Sequence, residues 1–156
     1  MKLSNRAIYA VRALFDLAYH GGERPVQIRE VACREEIPAR FLEQIFQEVR
    51  RAGLVESTRG PRGGYQLAKP PQDISLADIL RALDEEPCFV SPGESGECAP
   101  DAPGKDLSWQ VSDALCAEIM TTIQNTFTRI TLAQLMQRAE SNGLARACVE
   151  RFVYVI

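Results

Sequence analysis

The tightest constraint on the fold is a run of six residues, Arg59-Gly60-Pro61-Arg62-Gly63-Gly64, in which three glycines and a proline surround two arginines. Gly and Pro at this density continue neither a helix nor a central strand, so the chain must turn here. Strand formers flank the run, Leu54-Val55-Glu56-Ser57-Thr58 before it and Tyr65-Gln66-Leu67-Ala68 after it, which makes the whole a β-hairpin with a basic tip. Unpaired arginines on a solvated tip serve little structural purpose. They suit a DNA minor groove, where a narrow cleft concentrates negative potential.

The residues leading up to the hairpin follow helical spacing. Ile8, Tyr9, Val11, Leu14, Phe15, Leu17 and Ala18 predict a helix over 5–20, with Ser4 as N-cap and Gly21-Gly22 as stop. Val26, Ile28, Val31 and Ala32 mark a second helix of about two turns. Pro38 suits the first turn of a third, which carries Phe41, Leu42, Ile45, Phe46 and Val49 and ends at Gly53. The last two, joined through 33–37, have the form of a helix-turn-helix. A helix-turn-helix followed by a basic hairpin is a winged helix. The expected fold is therefore mainly α with a small β-hairpin wing.

Beyond Pro70-Pro71 a short helix is expected over 74–83, with Ser75 near its start. Residues 84–106 then turn acidic and rich in Pro, Gly and Ser, a loop of a length usually functional or disordered. Helical patterning resumes over 107–130 with two adjacent apolar stripes. Leu107, Val111, Leu115 and Ile119 form one, and Trp109, Cys116, Met120, Ile123 and Phe127 the other. So broad an apolar face calls for two packing partners, one of them the same helix of a second subunit. A last helix over 131–139 precedes an apolar tail. The expected division is a DNA-binding domain over 1–83, a sensor loop over 84–106, dimerisation helices over 107–140 and a tail over 141–156.

Charge supports this division once it is counted by halves. Residues 1–70 hold 12 Lys/Arg against 8 Asp/Glu and residues 71–156 hold 6 against 13, so +4 and −7 lie behind the net −3. One end meets a polyanion, and the whole-chain average conceals it. Charged residues interrupt every apolar run near the N-terminus, which argues against a signal peptide or membrane span and for a cytoplasmic protein. Catalysis is not expected, because the chain has a single His and neither a phosphate-binding Gly loop nor an HExxH pair.

The residues resemble the IscR/NsrR/CymR type of bacterial winged helix-turn-helix transcription regulators. The likeness rests on Met1-Lys2-Leu3-Ser4 with Tyr9-Ala10, on Phe41-Leu42-Glu43-Gln44-Ile45, on Arg51-Ala52-Gly53-Leu54-Val55, on the wing string through Leu67, and on Ile74-Ser75-Leu76-Ala77-Asp78-Ile79. It covers 1–83 densely and the rest loosely. It implies a homodimer, in the role of a repressor, on a palindromic double-stranded operator. It also puts Glu43 and Gln44 near base edges in the major groove and Arg59 and Gly60 in the minor groove. Gln pairs bidentately with adenine and Glu accepts from cytosine N4, whereas Arg40, Arg50 and Arg62 suit phosphates. Ser4 completes the expected DNA-contacting set. A merely solvated helix face is the bland alternative for Glu43 and Gln44, and the adjacent wing weighs against it.

In cluster-binding members of this family, three cysteines sit close together in the loop before the long helix. Here that loop holds Cys88 and Cys98 only, and Asp106 stands near the family's histidine ligand. All-Cys ligation needs four thiolates. Two readings stay open, an iron–sulfur cluster on Cys88, Cys98 and groups such as Asp101 or Asp106, and a thiol switch or a loop with no cofactor. In the cofactor-free case a protein partner or a small molecule would control the regulator. Cys33, Cys116 and Cys148 are read as chemically idle, and His20 as a cap on its helix C-terminus.

Overall fold

The computed structural model describes residues 3–22, 24–61, 63–85 and 105–146, the stretch 105–109 by its backbone alone. Six helices and one hairpin follow in the order α1 Asn5–Gly21, α2 Ile28–Glu35, α3 Ala39–Arg51, β1 Val55–Thr58, β2 Gly64–Leu67, α4 Leu76–Ala82, α5 Lys105–Arg129 and α6 Leu132–Ser141. This is the mainly helical winged-helix architecture that the pattern predicts.

Helix boundaries follow local chemistry. The Ser4 side chain accepts from the Ala7 amide at 3.0 Å and so satisfies one of the open donors of α1. Ser75 and Asp78 cap α4 reciprocally, since Ser75 Oγ accepts from the Asp78 amide at 3.1 Å and Asp78 accepts from the Ser75 amide at 3.0 Å. Burial raises the Asp78 carboxyl, but the two Ser75 hydrogen bonds and nearby Arg81 and Lys69 outweigh it, leaving the group below its ordinary value.

Several expected boundaries move. Pro38 is the N-cap of α3 rather than part of its first turn, and Cys33 lies within α2, exposed, because the turn of the motif is 36–38. Val26 is not helical. It exchanges two 2.8 Å backbone hydrogen bonds with Tyr65 and adds a one-residue third strand to the wing. The long helix starts at Lys105, so Lys105 and Asp106 belong to α5 and not to the preceding loop.

One core unites the first four helices, the wing and α6. Ala10, Leu14, Leu17, Val31, Leu42, Ile45, Phe46, Val49, Leu54, Ile79 and Leu132 are all buried in it. Helix α1 is the hub, with α2, α3, α4, α6 and β2 packed around it. A single acid interrupts its apolar face. Asp16 is fully buried and accepts two hydrogen bonds from Arg34 of α2, at 2.7 and 2.8 Å. That bidentate pair bolts α2 to α1, and the bond to Asp16 drives the Arg34 pKa further up.

Helix α5 is tied to this body at its C-terminal end. Leu76 donates to the Ile130 carbonyl at 2.8 Å and Leu132 to the Ile74 carbonyl at 3.0 Å, and α4 packs against α5. Tyr19 then donates to the Leu144 carbonyl at 2.6 Å and holds the end of α6 on α1. Val111, Leu115 and Ile119 of α5 remain 66%, 57% and 50% exposed. No described helix is long and apolar enough to cross a membrane.

Candidate nucleic-acid interface

Helix α3 has two unlike faces. Leu42, Ile45, Phe46 and Val49 point into the core, and burying each of the larger ones stabilises the fold by about 1.5–3 kcal/mol. With 3.6 residues per turn, that orientation turns Arg40, Glu43, Gln44, Gln47, Arg50 and Arg51 outward, and all six are exposed. The packing that stabilises the fold thereby selects the residues offered to a ligand.

The wing stands beside this face. Its strands pair antiparallel with Val55 opposite Leu67 and Thr58 opposite Gly64, which projects 59–63 as the tip. Gly60 has φ 115°, a conformation that side chains rarely adopt. Gly64 lies so close to Val26 that a Cβ would stand 2.4 Å from its carbonyl oxygen, so only glycine lets the third strand pair. Two contacts set the wing relative to α3. The rings of Phe46 and Tyr65 meet at 4.7 Å, and Arg50 donates to Ser57 Oγ at 3.2 Å.

The arginines of the basic half divide into two groups. Arg6, Arg12, Arg24 and Arg34 each form an ion pair with Asp or Glu inside the domain. Arg40 and Arg59 are exposed and make no hydrogen bond or ion pair among the described residues. The same holds for Arg29 and Arg51, which are not among the expected DNA contacts. The signal was present for Arg51. It falls on one stripe with Arg40, Gln44 and Gln47, at intervals of four, three and four residues. Uncommitted cations therefore collect on α2, α3 and the wing.

The structure thus brings Arg40, Glu43, Gln44 and Arg50 onto one helix, with Arg59 and Gly60 on the wing beside it. Ser4 lies elsewhere in the fold. Its hydroxyl caps α1 and is hydrogen-bonded to Glu85. Arg62, Cys88 and Cys98 lie outside the described residues, and Asp106 is described by its backbone only. Among the described residues no three of His, Cys, Asp and Glu gather as a metal site. His20, in the last turn of α1, stands 3.9 Å from Asp16, and burial lowers its pKa.

An outward polar helix, a basic wing and uncommitted arginines on one surface are the parts of a duplex-reading module. The family described as "Rrf2: Iron-dependent Transcriptional regulator" matches residues 3–138.

The chain belongs to the Rrf2 family.

It is similar to the protein rrf2 of Nitratidesulfovibrio vulgaris, 35% identical over 139 residues and 89% of each chain. Among solved structures it is similar to T. potens IscR, with TM-score 0.72 and 34% identity over 94% of this chain and 93% of that one. It is also similar to CymR, the global cysteine regulator of B. subtilis, with TM-score 0.68 and 28% identity over 88% and 98%. As an Rrf2-family member the protein is a DNA-binding transcription regulator and not an enzyme. Its winged-helix fold is the one these regulators share.

Proposed function

We propose that this Rrf2-family chain acts in the cytoplasm as a homodimeric repressor on a palindromic operator, with its DNA affinity set by residues 84–106. The observation that carries the reading is the surface shared by α3 and the wing, where uncommitted arginines flank Glu43 and Gln44. Gln44 and Glu43 read base edges, Arg40 and Arg50 engage phosphates with Arg62, and Arg59 and Gly60 enter the minor groove. Ser4 caps the start of α1, the helix whose Arg6 is bonded to Glu48 of α3.

One winged helix makes few contacts, so two half-sites and two subunits are needed. Val111, Leu115 and Ile119 recur every four residues on one line of α5, and their exposure supports pairing with a second copy. In this division 1–83 binds DNA, 84–106 senses and 107–140 dimerises, with α6 anchoring α5 to the DNA-binding domain.

For the sensor, the donors of this chain favour a thiol response at Cys88 and Cys98 over a cluster. Two loop thiolates fall short of four, and the other described thiols do not make up the number. Cys33 is on α2, and Cys116 lies ten residues from Asp106 along one helix, about 15 Å at 1.5 Å per residue. The family's description as iron-dependent supports the second reading, a cluster on Cys88 and Cys98 completed by Asp106 or a partner-subunit group. Bound there, a cluster would supply one-electron or ligand-exchange chemistry. Anaerobic purification with an absorption spectrum and iron count separates the two. Iron at stoichiometry with visible absorption that Cys88→Ala abolishes supports the cluster. A colourless, iron-free protein whose operator affinity changes on thiol oxidation supports the switch.

A further inference from the structure

Glu85 occupies a defined place at the end of the DNA-binding domain. The Glu85 amide donates to the Leu80 carbonyl at 3.0 Å and the Asp84 amide to the Arg81 carbonyl at 3.1 Å, with Asp84 at φ 55°. This pair of bonds is a Schellman motif closing α4, so backbone geometry sets where the chain leaves for the segment carrying Cys88 and Cys98. The Glu85 side chain reaches back across the fold. It is hydrogen-bonded to Ser4 and stands 3.9 Å from the Arg6 guanidinium, both at the start of α1.

Arg6 has a second carboxylate. Its Nη2 is bonded to Glu48 of α3, and both acids are largely shielded, their side chains 22% and 21% exposed for Glu48 and Glu85. One cation therefore serves two acids from opposite ends of the functional division. Glu48 follows Gln44 by four residues, one helical turn along the α3 surface. An unneutralised carboxylate there repels phosphate, and a neutralised one does not.

We propose that Arg6 is a positioning residue for DNA binding, its guanidinium apportioned between Glu48 and Glu85 so that movement of the chain at Glu85 changes the charge beside the recognition surface. Displacement of Glu85 away from α1 leaves Arg6 wholly to Glu48 and favours DNA. Displacement toward Arg6 draws the guanidinium off Glu48 and disfavours DNA. The inference rests on the DNA-binding reading of α3, and it holds for either sensor chemistry because it begins at Glu85.

The test is a set of mutant cycles in the full-length protein, read by fluorescence anisotropy on a duplex that the wild type selects from a random pool. Glu85→Gln should tighten binding about threefold, and by less than about 1.5-fold where Glu48→Gln or Arg6→Ala is already present. Equal tightening in all three backgrounds is a general field effect and overturns the proposal, as does no tightening at all. A wild type that selects no duplex would defeat the DNA reading. A second readout needs no DNA. The Arg6 guanidinium resonances in the free protein should shift on Glu85→Gln and again on Glu48→Gln, while Asp73→Asn leaves them in place. Arg6 signals that ignore either glutamate rule out the sharing.

Discussion

Helices α3 and α5 both carry apolar residues at helical spacing, and they resolve them in opposite ways. Helix α3 buries Leu42, Ile45, Phe46 and Val49 within its own chain and leaves its polar face to solvent. Helix α5 keeps Val111, Leu115 and Ile119 at half exposure or more, with α4 against it and the rest of the line uncovered among the described residues. The same sequence pattern, an apolar stripe at helical spacing, thus completes a core in one place and in the other leaves an exposed line, which we propose pairs with a second copy. The difference predicts opposite responses to substitution.

The largest effect belongs to the α3 core. Phe46→Ala removes a side chain that is 1% exposed and in tilted ring contact with Tyr65, and should cost about 3–5 kcal/mol in urea unfolding. The α5 counterpart should leave the fold alone. Leu115→Glu with Ile119→Glu should change the chain's own stability little, yet abolish dimers in sedimentation and weaken operator binding about a hundredfold or more. A large fall in melting temperature for that pair, with oligomeric state unchanged, would place the α5 face in an intramolecular core and break the comparison.

On the exposed face of α3 the cost should appear as specificity. Gln44→Ala should leave stability unchanged and lose about 1–3 kcal/mol of discrimination at the position it reads, seen in competition against single-base variants of the operator. Loss of affinity spread evenly over all sequences would assign Gln44 to backbone contacts instead.

The smallest effect comes from acid. Burial holds the His20 pKa below 6.5, with Asp16 and Glu35 raising it and Arg34 and Arg146 lowering it. As pH falls below the ordinary value, the unfolded chain binds a proton that the folded chain does not, so stability declines from about pH 6.5 downward and is unaffected by this group above it. His20→Gln should flatten that part of the urea midpoint profile, with the Leu115→Glu/Ile119→Glu monomer showing the same flattening because His20 lies outside α5.

Much of the fold was legible because its signals are local. Ser4, Ser75 and Thr131 cap the helices that follow them, and the wing string bends the chain wherever it occurs. Beyond boundary shifts of a few residues, the misses were long-range. Val26 shares the apolar spacing of α2 but pairs with Tyr65, a partner 39 residues away that helical periodicity does not reveal. Asp16 was visible as an acid on an apolar stripe. Its meaning depended on Arg34, eighteen residues on.

Of the expected DNA-contacting residues, Arg40, Glu43, Gln44 and Arg59 are exposed on α3 and the wing, a placement that position within a helix and a hairpin foretells. Ser4 was placed with them by resemblance, and its geometry links it to Glu85 instead of the α3 face.

Taken alone, the sequence determined the helices, the hairpin and the basic sign of the N-terminal half, because capping, periodicity and charge counts depend on residues near one another. The tertiary structure decided which arginines are uncommitted. Twelve basic residues look alike in a count of residues 1–70, but Arg6, Arg12, Arg24 and Arg34 are spent on acids brought to them by folding. Charge composition is a sum over the chain, whereas a charge's availability is set by what stands within a few ångströms of it. Only packing brings Glu48 and Glu85 to the same guanidinium.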